Sequence, residues 1–383
     1  MKYPVIFSLA ILLILTESCS GRKKSHRGTG IIDKGAIIKK AERFTLRKND
    51  SCTVLTIINP WQGAEGINQI YYLVKNGISL PSGIDSAQII FVPLNKIICM
   101  STTHLAMISA LHEENTIAGV SGTGFIYEKT LSEKVNLGEI KDIGYEADLN
   151  KELIIRISPD LIMMYGIGNE SLGYVNKLKE LGLKTLFNAD YLENDPLGKA
   201  EWIKFFGALY CKEELADSIF KSLSETYSQT KIFIENNIVS RPNVMLGLPF
   251  RDTWFISPGN SYISTIINDA GGNYIWNETR SSVSIPSGIE NVFLKAMNAD
   301  YWLNIGNVNS KEEIFAIDAR LGDIPCFKNG NLFNNNKRIN KNGGIDYWES
   351  GSLNPHLILK DIASILHPEL FSRDELFYYK KIN

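Results

Sequence analysis

Histidine is scarce in this chain, with five among 383 residues. They are also scattered. His26 lies near the start, His104 and His112 are two helical turns apart, and His356 and His367 lie near the end. A site for a bare zinc or manganese ion needs several histidines together with Asp or Glu, so a bare metal ion is a poor fit as ligand, and His104 reads as a helix-start or core residue. Cysteine is as sparse: Cys19, Cys52, Cys99, Cys211 and Cys326. No two are close and no Cys-x-x-Cys or Cys/His pair occurs, which argues against a zinc site. Basic excess is missing too. Forty Lys and Arg stand against 42 Asp and Glu, for a net charge of -2, where a nucleic-acid binder carries a strongly basic face. There is one long apolar run, so a polytopic membrane protein is excluded. Catalytic signatures fail in detail. Gly119-Val120-Ser121-Gly122-Thr123 has Thr123 where a nucleophile elbow needs glycine. Gly122-Thr123-Gly124 lacks the third glycine of a dinucleotide loop, and no glycine run leads to a phosphate-loop lysine. The chain therefore reads as a non-enzyme. What it has is 44% hydrophobic and 10% aromatic residues, a globular composition opposite to that of disorder.

The apolar run is Pro4 to Leu15, behind Met1-Lys2. A basic start and a short apolar core make a signal peptide, residues 1–18. It is too short for a spanning helix, which needs about 20 apolar residues. It ends in Thr16-Glu17-Ser18-Cys19, which resembles a bacterial lipobox with Cys19 as the lipidated first mature residue. Thr16 stands where that pattern has Leu, and an ordinary signal peptide is the competing reading. Polar, basic Ser20 to Gly30 favours lipidation, because it reads as a tether. Residues 19–45 are assigned to that lipidated tether. The remaining four cysteines are open to two readings, disulfides or buried thiols.

The body reads as two α/β halves. Strands are expected at Thr53–Ile58, Tyr71–Val74, Gln88–Val92, Ile97–Met100, Ile117–Val120, Leu161–Tyr165 and Lys184–Phe187. Helices are expected from Thr102 to His112, before Ser158, and from Tyr174 to Leu181. The second half repeats the order: strands at Val244–Gly247, Trp254–Ile256, Asn273–Trp276 and Tyr301–Ile305, a helix opened by Ser257-Pro258-Gly259, and a helix from Ser287 to Met297. A glutamate, an apolar helix, an Ala/Pro-Asp turn and an apolar strand occur at Glu152–Tyr165 and again at Glu290–Ile305. Between the halves, Ala216, Ile219, Phe220, Leu223 and Tyr227 form one stripe, and a helix from Lys212 to Glu235 would run about 36 Å. A helix joining two lobes and a long core helix of one domain both fit. The assignment is residues 46–197 for an N-terminal α/β lobe, 198–237 for the linking helix region and 238–383 for a C-terminal α/β lobe.

Several pieces resemble the substrate-binding lipoproteins of ABC importers for iron complexes and corrinoids. They are Ser101-Thr102-Thr103-His104, Ile117-Ala118-Gly119-Val120, Ile143-Gly144, the stretch Asn150 to Met164 with Pro159-Asp160-Leu161-Ile162, Ser257-Pro258-Gly259, Asp269-Ala270-Gly271-Gly272, Ala299-Asp300, Tyr347-Trp348-Glu349-Ser350-Gly351 and His367-Pro368-Glu369. The resemblance runs from about Ile97 to Leu370, and residues 31–95 fall outside it. It implies two α/β lobes with central sheets, one long rigid helix between them, and a ligand cleft between the lobes. The implied cargo is a metal chelate: a ferric siderophore or related iron complex, with cobalamin or haem as alternatives, and no separate cofactor. The implied partners are an ABC permease, an outer-membrane receptor system and the lipid bilayer. A monomer, lipid-anchored on the periplasmic side of the cell envelope, is expected. An envelope lipoprotein for adhesion, or a hydrolase, is the reading from another class.

Ligands of two-lobed α/β proteins sit at strand C-terminal ends, where loops converge. Candidates there are Phe125, Tyr145, Tyr165, Arg251, Trp254 and Trp348. Aromatic rings give rigid area against a flat chelate, and arginine pairs with anionic oxygens. Core packing competes for each ring, evenly for Tyr165 and Trp254, and Trp276 and Trp302 are assigned to the core. The resemblance also implies that Glu152 and Glu290, one per lobe, dock onto the permease. The bland alternative for Glu290 is a capping box with Ser287, and for Glu152 a favourable charge at a helix start.

Overall fold

The computed structural model describes residues 38–78, 83–145, 148–166 and 170–383. The expected signal peptide, Cys19, the expected tether up to residue 37 and Glu146 lie outside them. The first lobe is built on a five-stranded parallel sheet. Its spatial order is Lys141–Asp142, Ile117–Val120, Ile97–Cys99, Leu161–Met164, Thr185–Phe187. Strands Ile97–Cys99 and Leu161–Met164 are buried on both faces, which is why their sequences are unbroken apolar runs rather than alternating ones. The second lobe has Asn273–Tyr274, Asn243–Leu246, Tyr301–Leu303 and Leu332–Asn334 in parallel, with Lys380–Lys381 antiparallel at the edge. In each sheet the chain starts at an inner strand, adds strands on one side, then crosses to the other. The order therefore reverses between Ile97–Cys99 and Leu161–Met164, and between Asn243–Leu246 and Tyr301–Leu303. Crevices open at the carboxyl ends of strands at such reversals.

The repeated aspartate has the same job in both lobes. Asp160 Oδ2 accepts the N–H groups of Asn95 (2.7 Å) and Lys96 (3.0 Å), and its own N–H donates to Lys96. Asp300 Oδ2 accepts the N–H of Asn243 (2.7 Å), and its own N–H donates to Asn243. Each thus fixes the start of the inner strand beside its own.

Residues 38–95, outside the resemblance, supply a four-stranded sheet, three of whose strands were expected: Phe44–Lys48, Thr53–Ile58, Asn68–Lys75 and Ile89–Val92, antiparallel except for the last pair. Phe44 seats it on Trp202, with ring centroids 4.6 Å apart. The fold begins earlier than the tether boundary at 45 allowed. The N–H groups of Lys39, Lys40 and Ala41 donate to the buried Glu201 carboxylate, and those of Glu42 and Arg43 to Glu193.

The expected long helix is Glu213–Asn237, 25 residues, or about 37 Å. Ala216, Phe220, Leu223, Tyr227 and Ile234 form its buried stripe. Just before its start, Lys212 reaches Glu113 (2.5 Å) and the Leu111 carbonyl (2.7 Å) in the first lobe. Farther along, Tyr227 and Lys231 hold Asp269 of the second at 2.7 and 2.8 Å. A single apolar core runs from Ile97 through Trp202 to Trp302. Among the described residues no helix is long and apolar enough to cross a membrane. Cys52, Cys99, Cys211 and Cys326 are free thiols.

Three local expectations are corrected. Ser257-Pro258-Gly259 does not open a helix; the helix is Tyr262–Asp269, capped by Ser261. Gly259 is needed because a Cβ there would run into the Asn277 carbonyl. No capping box forms at Ser287, which lies in the strand Ile285–Gly288, while Gly288 starts the helix Ile289–Ala296 without a side-chain cap. The strand expected at Asn273–Trp276 is shortened to Asn273–Tyr274.

Candidate functional site

At the first lobe's strand ends, the chain turns back on itself through Ser121–Phe125 and Asp142–Tyr145. Gly122 has φ +74°. The two turns are tied together. The Ser121 hydroxyl donates to the Gly144 carbonyl at 2.8 Å. Asp142 accepts the Thr123 N–H (3.1 Å) and hydroxyl (2.8 Å) through one oxygen and the Gly144 N–H (2.9 Å) through the other. Partial burial works to raise the Asp142 pKa, but these donors outweigh it and hold the carboxyl below its ordinary range. The loops are thus set in place by the folded chain itself.

They carry two open aromatic rings. Phe125 is 46% exposed and Tyr145 45%, with centroids 6.3 Å apart in an edge arrangement. The Tyr145 phenol is raised by burial first, then by Asp142 and by Tyr165, so Tyr165 stands within electrostatic reach of it. Tyr165, half-buried, follows the strand Leu161–Met164 at the sheet's order reversal. Tyr145 thus packs beside Phe125 and lies within electrostatic reach of Tyr165.

Trp348 is 55% exposed, its ring edge-on to Tyr347 at 4.9 Å. It sits on the second lobe's helix Asp346–Glu349, which touches the Phe125 loop. Arg251 belongs to a hairpin of the second lobe. It occupies the tip of the hairpin joining Pro249–Phe250 to Thr253–Ile256, has φ +55°, and packs 5.3 Å from the Phe250 ring. Trp254 is corrected from cleft to core. It is 1% exposed, stacks on Trp302 at 5.9 Å, and donates its indole N–H to the Leu246 carbonyl at 3.0 Å. Its alternating position in the strand points the ring inward, while Phe255 faces out. Trp276 and Trp302 are core residues as expected.

Several residues at the site escaped the sequence reading. Trp61, after the Asn59-Pro60 turn, packs on Phe187 at 5.5 Å and against Gly166. Gln62 donates its N–H to the Gly166 carbonyl at 3.1 Å, and the Tyr191 hydroxyl donates to the same oxygen. The segment after the strand Thr53–Ile58 thus braces Gly166, next to Tyr165. An aromatic after a strand-stopping Asn-Pro was the available signal. Asn188 and Asp190, fully buried after the strand Thr185–Phe187, keep polar atoms without protein partners. The Asp190 carboxyl is raised by burial.

His104 is completely buried, with neither ring nitrogen bonded to protein, and burial pushes its pKa down to about 3. It is a neutral core side chain. Among the described residues no group of three or more His, Cys, Asp or Glu gathers to hold a metal.

Glu152 and Glu290 occupy equivalent places, the first turns of Lys151–Ile157 and Ile289–Ala296, and both face solvent. Glu290 is bonded to Arg320 at 3.2 Å, and Arg320 also holds Asp318 at 2.6 Å. The Glu290 carboxyl lies below its ordinary range because of its own backbone N–H and the Arg320 guanidinium.

Comparison with known proteins agrees with this architecture. The chain is 28% identical over 355 residues, 85% of its length and 81% of the relative's, to an uncharacterised lipoprotein of Methanocaldococcus jannaschii. The fold matches a possible iron-binding periplasmic solute-binding protein of Staphylococcus epidermidis (TM-score 0.56, 15% identity, 72% of this chain and 99% of that one). It also matches the periplasmic vitamin B12-binding protein of Vibrio cholerae (TM-score 0.52, 14% identity, 73% and 98%). Residues 97–337 match the periplasmic binding protein family model. Two parallel-sheet lobes, a long helix between them and a match over most of the body place this chain in the periplasmic binding protein family.

Proposed function

We propose that the protein is the substrate-binding component of an ABC importer and captures a metal chelate, a ferric siderophore or related iron complex, between its lobes. The observation that carries this reading is the aromatic pair Phe125 and Tyr145, held on cross-tied loops at the first lobe's strand ends and partly open to solvent, with half-buried Tyr165 at the end of the strand Leu161–Met164. A rigid, preformed apolar surface suits a flat or bulky chelate, because little ordering entropy is lost on binding. The long helix, fastened to both lobes, favours small lobe movements. Cobalamin is the second cargo, favoured by the likeness to a vitamin B12-binding protein. In this reading Glu152 and Glu290 dock onto the permease, Cys19 carries the lipid, and the protein works at the outer face of the membrane. Two lipoprotein-named relatives support the anchored location.

The test is a calorimetric and tryptophan-fluorescence titration of the mature chain with ferric siderophores, haem and cobalamin, with metal-free chelators as controls. Saturable submicromolar binding by one class, weakened by Tyr165→Ala, is the expected result. A folded protein that binds none of them sinks the proposal.

A further inference from the structure

The loop that carries Phe125 is held from the far side of the molecule. Glu349, at the end of the second lobe's helix Asp346–Glu349, is 3% exposed. Its Oε2 accepts the N–H of Tyr127 at 2.8 Å and its Oε1 that of Glu128 at 2.9 Å. Asn340 completes the grip. Its Nδ2 donates to the carbonyls of Gly124 and Ile126, both at 2.9 Å. Its Oδ1 is fixed in turn by the N–H groups of Asn342 (2.9 Å) and Gly344 (2.8 Å). Asn342 Nδ2 reaches the Gly124 carbonyl at 3.2 Å. A Cβ on Gly344 would run into the Phe125 carbonyl, so the two backbones pass in direct contact.

We propose that Glu349 is the positioning residue of a cross-lobe latch, which sets residues 122–128, and with them Phe125, against the second lobe.

Three features support it. First, these hydrogen bonds from the second lobe go to backbone groups: two carbonyls, at residues 124 and 126, and two N–H groups, at 127 and 128. That pattern fixes the loop's register whatever side chains it bears. Second, the groove beside the latch is about 810 Å³, lined by Leu105, Leu131, Ile219 and Leu353 among others. Packing is open on that side of the latch, while on another side the helix Asp346–Glu349 rests on the first lobe's helix Thr103–Ala110. Third, the loop's other end is fixed within its own lobe by Asp142. The loop thus spans the lobes with an anchor on each, and opening the lobes must break bonds to Glu349 or Asn340. The latch itself is invested against charge. Burial first, then Asp346 and Glu128, pushes the Glu349 carboxyl up to about 7 although two N–H groups favour the ionised form. Arg338 faces Asp346 at 2.5 Å and lies 5.0 Å from the Tyr127 ring, closing the same corner. The consequence for cargo rests on the cleft reading above. The latch does not.

The test is residue-resolved amide hydrogen exchange on the ligand-free protein. Glu349→Ala removes both acceptors, and exchange at Tyr127 and Glu128 is expected to rise about tenfold or more, with Ile98 and Cys99 unchanged. Glu349→Gln keeps one acceptor oxygen. It should therefore split the pair, leaving one amide protected and freeing the other, a signature that simple space-filling would not give. Should the alanine variant not fold, the glutamine variant carries the test. Wild-type protection at both amides in a folded variant overturns the latch. Because no cargo is present, a failed cargo search leaves the latch standing, and a failed latch leaves the cargo proposal standing.

Discussion

At Gly122 two demands meet: φ of +74°, and a Tyr145 hydroxyl lying where a Cβ would stand. Gly122→Ala is expected to cost about 1–3 kcal/mol through strain and to displace Tyr145. A urea midpoint and a chelate titration would report the two effects separately; unchanged stability would show that the turn relaxes freely. The exposed glutamates act differently. Glu152→Ala combined with Glu290→Ala should abolish uptake in cells while chelate affinity stays at the wild-type value. A drop in affinity instead would move both residues from docking to binding. Single residues were also where the sequence was hardest to read. Trp254 and Tyr165 both border polar loops in the sequence, but strand alternation turns the first inward onto Trp302, while the second leaves the strand and is only half-buried. The resemblance picks out Tyr347-Trp348-Glu349-Ser350-Gly351 but not what Glu349 binds, because its partners are backbone groups more than 200 positions away.

At the scale of elements, the two aspartates after the repeated helices are the cleanest comparison. Asp160 and Asp300 each fasten the start of an inner strand through backbone N–H groups. Both are solvent-exposed, so Asp160→Ala and Asp300→Ala should each cost about 1 kcal/mol, with similar losses by urea denaturation. A large cost at one and none at the other would mean that the repeat is sequence coincidence. This pattern was legible because glutamate, apolar helix, turn aspartate and buried strand have a fixed order and distinct periodicities. The long helix was legible from its stripe at helical spacing. The N-terminal sheet was harder. Three of its strands could be picked out by β-branched and aromatic composition. Their packing on Trp202 could not, since Phe44 and Trp202 are joined only by the fold. Ser257-Pro258-Gly259 misled for a related reason: its glycine answers a close backbone approach, not a helix start.

For the whole molecule, acid-base balance sets buried carboxyls against buried histidines. Glu349 binds its proton more tightly folded than unfolded, with its pKa raised to about 7 by burial, and burial likewise raises Asp361, Asp190 and Glu193. Buried His104 and His356, whose pKa values burial lowers, make stability rise with pH over this window, whereas these carboxyls hold more protons folded than unfolded between their ordinary range and about pH 7 and make it fall. Glu349 alone accounts for about 3 kcal/mol of that slope. Urea denaturation at pH 5 and pH 8 should show Glu349→Gln gaining stability relative to the wild type on going up. A Glu349→Gln slope equal to the wild type's would mean that this carboxyl is ionised throughout.

The fastening of residues 39–43 has a mechanical consequence. Five successive backbone N–H groups are gripped by two carboxylates, Glu201 and Glu193, and Glu193 is itself steadied by the Trp202 indole at 3.0 Å. Both carboxylates belong to the stretch between the first lobe's last strand and the long helix. A pull entering from the N-terminal side would meet this grip before it reached the first strand, as tension on a cable meets a clamp before the plug. The load would pass into the connector between the lobes, and the aromatic loops at the cleft would be spared it.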